Sequence, residues 1–330
     1  FDELEFLNRI AYSLREKRTK NGSINFDTGD EVRFKLDEDA VPVEVYVKER
    51  TDANLLVEDF MLLANTTVAK FLSKAEKGRG KQSSVYRVHD KPDLSKLTIL
   101  SNVAKRFGYN IAFKDAEQAR DALNNLMGII IQKPEISVLG RLAVRSMAKA
   151  VYTTKNIGHY GLAFNHYTHF TSPIRRYPDM MVHRLLEHYL EGGKSPEANS
   201  WEQKCLHSSE REKRAADAER ASIKYKQVEF MSLAEARDYD GIVSGVTEWG
   251  VFVEITETKC EGMIRVQDMD DDYYDFDERN MRLIGSRTKK MITLGDKVLV
   301  RVVNTDIDRR TIDLEFADHD RKKSRPRAFN

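Results

Sequence analysis

Cysteine is scarce: Cys205 and Cys260 are the only two in 330 residues, they lie far apart, and they form no CxxC pair. That excludes a disulfide framework and a cysteine-ligated zinc site, and it fits a reducing compartment, so a cytoplasmic location is expected. Long apolar runs are missing as well. None approaches the ~20 residues a helix needs to cross a bilayer, so no membrane partner is expected. The opening residues, "FDELEFLNRI", are acidic rather than signal-like. They start in mid-pattern without a Met, as a piece of a longer protein would. Net charge is close to absent, with 54 Lys+Arg against 53 Asp+Glu. Bulk charge therefore neither favours nor excludes a polyanionic partner, and any anion-binding surface has to be a local cluster.

What is present reads as helices first and strands last. The length suits about two domains at ~150 residues each. Leu4, Leu7, Ile10, Ala11 and Leu14 recur at helical spacing and predict an amphipathic helix ending before Gly22. Residues 23–50 alternate apolar and polar around an acidic turn at Asp37 to Asp39 and predict a hairpin. Asp52 reads as the N-cap of a helix that is apolar around most of its circumference and so expected to be buried. "SKAEKGRGKQSS" reads as a loop. Helical patterns follow at Leu94 to Phe107 (closed by Gly108), Ala116 to Met127 and Pro134 to Val151. Ser172-Pro173 marks a further helix start, with Pro178 starting or kinking the segment after it. Residues 200 to about 235 read as one long charged helix. From Tyr239 the period switches to two.

That β block has the size of a small closed barrel. "DGIVSGVTEWGVFVEI" followed by "EGMIRV" resembles the OB-fold named after ribosomal protein S-one, an RNA-binding module. The resemblance implies that Trp249, Phe252 and Arg265 lie on one barrel face, two aromatic planes and a cation suited to single-stranded RNA, with Arg309 and Arg310 as further phosphate contacts. The alternative is that Phe252 is core and Trp249 a rim anchor. Many relatives of this module carry His where Arg265 stands. The acidic stretch "DMDDDYYDFDE" has no EF-hand order and reads as a solvated loop.

Upstream, "HYGLAFNHYTHFTSPIRRYPDMMVHR" resembles the signature of the ribonuclease II / ribonuclease R family of 3′-to-5′ exoribonucleases. "GSINFDTGDEVRF", "VEDFMLLAN" and "VYRVHDKPDLSKL" extend the resemblance in the family's order, which is closest to the ribonuclease R branch. It implies an α+β chain: a mostly helical C-terminal portion of an RNB nuclease domain over 1–235, a five-stranded all-β OB-fold barrel over 236–318, and a basic, disordered tail over 319–330. It also implies processive hydrolysis of single-stranded or structured RNA to nucleoside 5′-monophosphates, and ribosome-associated RNA-decay factors as partners. Mg²⁺ (or Mn²⁺) is implied, held by an aspartate motif found nowhere in this sequence, so this chain alone is expected to be inactive.

Individual residues carry this reading. Arg175 and Arg176 follow Ser172-Pro173, where a helix start favours phosphate and a planar guanidinium grips it with two teeth. The resemblance gives Arg175 a place beside the scissile phosphate, as the catalytic side chain; Arg176 and Arg184 position the backbone. Tyr160 and Tyr177 are candidates to stack on or cap sugars, with a core role as the alternative. Phe26 is implied to clamp terminal bases, or is core. Glu58, a carboxylate on an apolar helix, is implied to accept hydrogen bonds from terminal ribose hydroxyls, with Asp59 the weaker of the adjacent pair; the alternative is a helix acid paired with an arginine. His159, His166, His169 and His183 lack an i, i+4 helical pair and cysteine partners, so they read as hydrogen-bonding wall residues and not as zinc ligands. Two rival functions stay open: a non-catalytic RNA-binding adaptor, and a metal-dependent phosphoesterase acting on small substrates.

Overall fold

The computed structural model describes residues 2–25, 31–74, 83–131, 133 and 136–317. Phe26, the loop at 75–82 and the basic tail fall outside these residues. The chain is α+β, with seven α-helices among the described residues followed by a closed five-stranded barrel. Helix α1 (Asp2–Lys20) packs its second half, from Ala11, against α2 (Asp52–Ser73), while Leu4 and Leu7 are exposed. Between them, β1 (Glu31–Leu36) and β2 (Pro42–Lys48) form an antiparallel hairpin. Its turn is held by the Asp37 carboxylate, which accepts the N–H groups of Asp39 at 3.0 Å and Val41 at 2.8 Å.

The N-cap of α2 is Thr51, one residue before the expected Asp52. Asn54 Oδ1 accepts both the Thr51 N–H (3.0 Å) and its hydroxyl (2.9 Å), which fixes the start there. The expectation of an apolar buried helix is also corrected. Val57, Leu63 and Phe71 face outward, whereas Asp59, Asn65 and Thr66 are buried among polar partners.

Strand β3 (Tyr86–Val88) pairs antiparallel with β4 (Val151–Thr153), which begins at Val151, the expected end of a helix. The helix there, α5 (Ile136–Ser146), stops short because β-branched and aromatic residues at 151–153 find a strand partner distant in sequence. Helices α3 (Leu94–Arg106) and α4 (Ala116–Ile130) are capped by Asp93 and Asp115, whose carboxylates accept backbone N–H groups of the first turn. Helix α6 (Tyr177–Leu190) and the 36-residue α7 (Ala198–Leu233) complete the helical part. No helix among the described residues is long and apolar enough to cross a membrane.

The barrel runs β11 (Lys297–Asp306), β12 (Thr311–Phe316), β7 (Glu261–Arg265), β6 (Gly250–Ile255), β5 (Asp238–Val246), and closes on itself. Beside it, β8 (Tyr274–Asp277), β9 (Arg282–Gly285) and β10 (Met291–Thr293) form a three-stranded sheet. Part of the acidic stretch is thus strand, not solvated loop. Asp272 accepts the N–H groups of Arg287 and Thr288, and Asp277 pairs with Arg282 at 2.8 Å, so these carboxylates staple the sheet.

Two cores result. One gathers Leu72, Val85, Tyr152, Met181, Leu185 and Cys205 around α6 and the start of α7. The larger one runs from α3, α4 and α5 through Val228 and Met231 of α7 into the barrel interior. Arg141 pairs with Glu254 at 2.7 Å and Arg106 donates to the Leu294 carbonyl at 3.3 Å across the same junction.

Candidate active-site cleft and nucleic-acid interface

The turn before α6 is built by one buried carboxylate. Asp179 is fully buried; its Oδ1 accepts the Ser172 N–H at 2.7 Å and an Arg176 N–H at 2.8 Å. The Ser172 carbonyl in turn accepts the backbone N–H groups of Arg175 (3.3 Å) and Arg176 (3.0 Å). Arg176 is the N-cap of α6, so the helix starts after the Ser-Pro pair, not at it. The two arginines therefore differ. The Arg176 guanidinium is committed to Asp179, whereas the exposed Arg175 side chain has no hydrogen bond or ion pair among the described residues. Arg175 and the exposed Tyr177 ring line a cleft of about 730 Å³ whose other wall is α7. Arg184 is exposed on α6, two turns beyond Tyr177.

Behind the cleft lies a wall of buried rings. The Tyr152 hydroxyl and His169 Nδ1 are 2.8 Å apart, and the Tyr167 hydroxyl accepts from Asn65 at 3.3 Å. Arg87 lies over the Tyr152 ring at 4.6 Å and pairs with Glu212. His89 Nδ1 accepts the Gly161 N–H at 2.9 Å, so its Nε2 carries the proton that it donates to the Ala148 carbonyl at 2.7 Å. His183 donates to the Phe170 carbonyl at 2.8 Å and stacks on the Phe170 ring. Tyr160 is likewise taken up internally: its hydroxyl donates to the Ala116 carbonyl and its ring packs on the larger core.

Two histidines of this region, His159 and His169, are held neutral. Burial, reinforced by His89 and Arg87, pushes His159 down to about 3. Burial, reinforced by Arg176 and Arg87, pushes His169 down to about 2. Unfolded histidine titrates near ~6.5, so below that pH the unfolded chain binds protons that the native chain refuses. Stability is fully present above ~6.5 and falls as pH drops, by at most about 1.4 kcal/mol per pH unit for each of the two. The thermal midpoint at pH 5 should lie clearly below that at pH 7.5. An equal or higher midpoint at pH 5 would mean that the rings are protonated in the fold.

The carboxylates of α2 reverse their expected order. Asp59 is the buried one, with 2 % of its side chain exposed, and it pairs with Arg15 at 2.7 Å and Arg18 at 3.3 Å. Glu58 is 39 % exposed and pairs with Arg50. The argument from a buried acid thus applies to Asp59, while Glu58 keeps a partly open carboxylate. Among the described residues, no three His, Cys, Asp or Glu side chains gather as a metal site. The described residues therefore do not fit the Mg²⁺ that the resemblance implies.

On the barrel, strand alternation sends Val251, Val253 and Ile264 inward and Phe252, Met263 and Arg265 outward. Phe252 faces Met263 across the β6–β7 pair, so it is not core. Trp249 is 72 % exposed at the strand's end. A Cβ at Gly250 would come within 2.3 Å of the Ile264 carbonyl oxygen, so the residue after this tryptophan has to be glycine for β6 and β7 to meet. Arg265 is partly neutralised by Asp313 at 2.9 Å. Arg310 sits in the β11–β12 turn with a left-handed φ of 58°.

Sequence reasoning missed the far wall of the cleft. Ser208, Arg211, Glu212, Ala215 and Glu219 line it, at the three-and-four spacing of one helix face. The pair Ala215-Ala216 in an otherwise charged helix was the available signal.

A helical body and a closed five-stranded barrel are the two parts this geometry defines, and comparison with known proteins divides the chain in the same way. The chain belongs to the RNB domain family, whose model matches residues 2–192; the model of the S1 RNA binding domain matches residues 233–316. Among its relatives is ribonuclease R of Ureaplasma parvum, 38 % identical over 319 residues that cover 93 % of this chain and 44 % of that protein. Ribonuclease R of Aquifex aeolicus is 37 % identical over 96 % of this chain and 44 % of its own length. Mycoplasma genitalium RNase R in complex with ribose methylated single-stranded RNA superposes with a TM-score of 0.86 at 25 % identity, over 96 % of this chain and 49 % of that one. The chain thus spans about half the length of the relatives it resembles.

Proposed function

We propose that this chain is the arginine-bearing and RNA-gripping part of a ribonuclease R-like 3′-to-5′ exoribonuclease that releases nucleoside 5′-monophosphates. The observation that carries this is Arg175: an exposed, uncompensated guanidinium on a turn fixed by buried Asp179, lining a cleft beside Tyr177. Such a planar fork suits a phosphate whose charge grows toward a pentacoordinate transition state. The outward Trp249 and Phe252 supply stacking surfaces that tolerate any base, which suits an enzyme without sequence preference. Arg184, Arg265 and Arg310 add backbone contacts, and Glu58, with its accessible carboxylate, is the acceptor for ribose hydroxyls. Mg²⁺ or Mn²⁺ bound by carboxylates outside the described residues supplies the Lewis-acid chemistry in the longer protein. The reading places that protein in the cytoplasm, on single-stranded or structured RNA and in company with ribosome-associated decay factors.

The test has two arms. The chain as given should bind single-stranded RNA without cleaving it, and Trp249→Ala and Phe252→Ala should each weaken binding by roughly 1–3 kcal/mol while leaving the thermal transition in place. A longer protein carrying this segment with the aspartate motif should shorten RNA from its 3′ end to mononucleotides in Mg²⁺. Binding without cleavage by that longer protein would favour the adaptor, and turnover of small phosphoesters in place of RNA would favour the phosphoesterase.

A further inference from the structure

The wall of the cleft opposite Arg175 is a single face of α7, and its charges are unevenly matched. Glu212 is taken by Arg87 through two contacts, at 2.5 and 3.2 Å. Asp217, on another face, holds Arg220. Among the described residues Arg211 has no carboxylate partner, and its one side-chain hydrogen bond runs from Nε to His207 Nε2 at 3.4 Å, one turn back along the helix. That contact turns the guanidinium without neutralising it and leaves both terminal amino groups free to donate. Ala215 and Ala216 carry the wall onward with short side chains. The remaining carboxylate of the wall, Glu219, lies eight residues away, about 12 Å along the helix axis.

Two exposed guanidiniums therefore border the same cleft from different elements, Arg175 from the turn and Arg211 from α7, each without an acid partner among the described residues. A single-stranded nucleic acid presents what such a pair can share: successive phosphates whose oxygens accept from planar forks on either side. We infer that Arg211 is a second phosphate contact of the cleft, gripping the backbone of the same RNA strand from the α7 side; this rests on Arg175 gripping RNA. A backbone contact reads no sequence, so its contribution should be equal for any base composition and should diminish with salt.

The experiment is equilibrium binding of a labelled single-stranded RNA to the chain at several salt concentrations. Arg211→Ala should weaken binding by about tenfold, as expected for loss of a charge-assisted contact, and should lower the salt slope by about one. Its thermal midpoint should match the unmodified chain, because the side chain is exposed and unpaired. Arg211→Lys should restore the salt slope but not the full affinity, since it returns the charge without the fork. Lys213→Ala removes an equal charge from a different face of α7 and should change affinity far less. Equal losses from Arg211→Ala and Lys213→Ala would reduce the effect to diffuse charge and overturn the inference. Binding lost with Arg175→Ala but kept with Arg211→Ala would overturn it while leaving the cleft's role intact. Binding unchanged in both would remove the cleft reading itself.

Discussion

Arg175→Lys, made in a longer protein that carries this segment and cleaves RNA, should slow single-turnover cleavage by about 10²–10³-fold, the cost of removing one donor aimed at transition-state charge. RNA affinity should stay nearly level, because lysine keeps the positive charge and the rest of the strand is held elsewhere. The geometry favours a clean result. The Arg175 side chain is exposed and forms no hydrogen bond or ion pair among the described residues, so its replacement leaves the backbone hydrogen bond to Ser172 and the Arg176–Asp179 pair in place. The measurement is cleavage at saturating RNA beside equilibrium binding of the same RNA. Intact cleavage at saturation with weakened binding would demote Arg175 to an ordinary phosphate contact.

The adjacent arginine should fail differently. Arg176→Ala strands the Asp179 carboxylate, which is fully buried and draws its charged partner from Arg176 alone among the described residues. Breaking one side of a buried pair costs about 3–5 kcal/mol, and the Ser172–Arg176 turn should loosen with it. Thermal unfolding of the chain should show a midpoint lower by several degrees or more. Arg176→Lys should recover part of that loss. A midpoint unchanged by Arg176→Ala would mean that Asp179 is neutral, or that solvent reaches it. Two neighbouring arginines that look alike in "SPIRRYPD" are thus expected to separate, one failing in catalysis and the other in folding.

That separation marks how far the sequence was legible. The outward direction of Phe252 could be read from alternation, and the exposed rim position of Trp249 from the glycine after it, because both depend on neighbours close in the chain. The prominence of Arg175 was legible from its motif. What was not legible depends on partners far along the chain. Adjacent residues on a helix differ by about 100° in direction, and the choice of Asp59 over Glu58 for the interior is made by Arg15 and Arg18 on α1. The strand at 151–153 exists because 86–88 lies beside it. Arg211 was hidden for a similar reason. In a helix charged on every side, only the packing of α6 nearby decides which cation faces a cleft.

Helix α7 is rooted in a core near each end and joined between them through polar contacts, such as Glu212 with Arg87. Cys205 and Ser208 sink into one core and Val228 and Met231 into the other, while no residue from 209 to 227 is fully buried. The barrel at its far end is also fastened to α3 and α5, through Arg106 and Arg141. Rod and body thereby make a closed truss, with the cleft at one corner and the barrel at another. In a truss the spacing of the corners is set by the length of the members, here by a count of helical turns. Each residue added to or lost from this span would change the reach by about 1.5 Å and swing the far end by about 100°, against fastenings that do not turn with it. The stretch between cleft and barrel works as a gauge, and its length is fixed even where none of its side chains is fully buried.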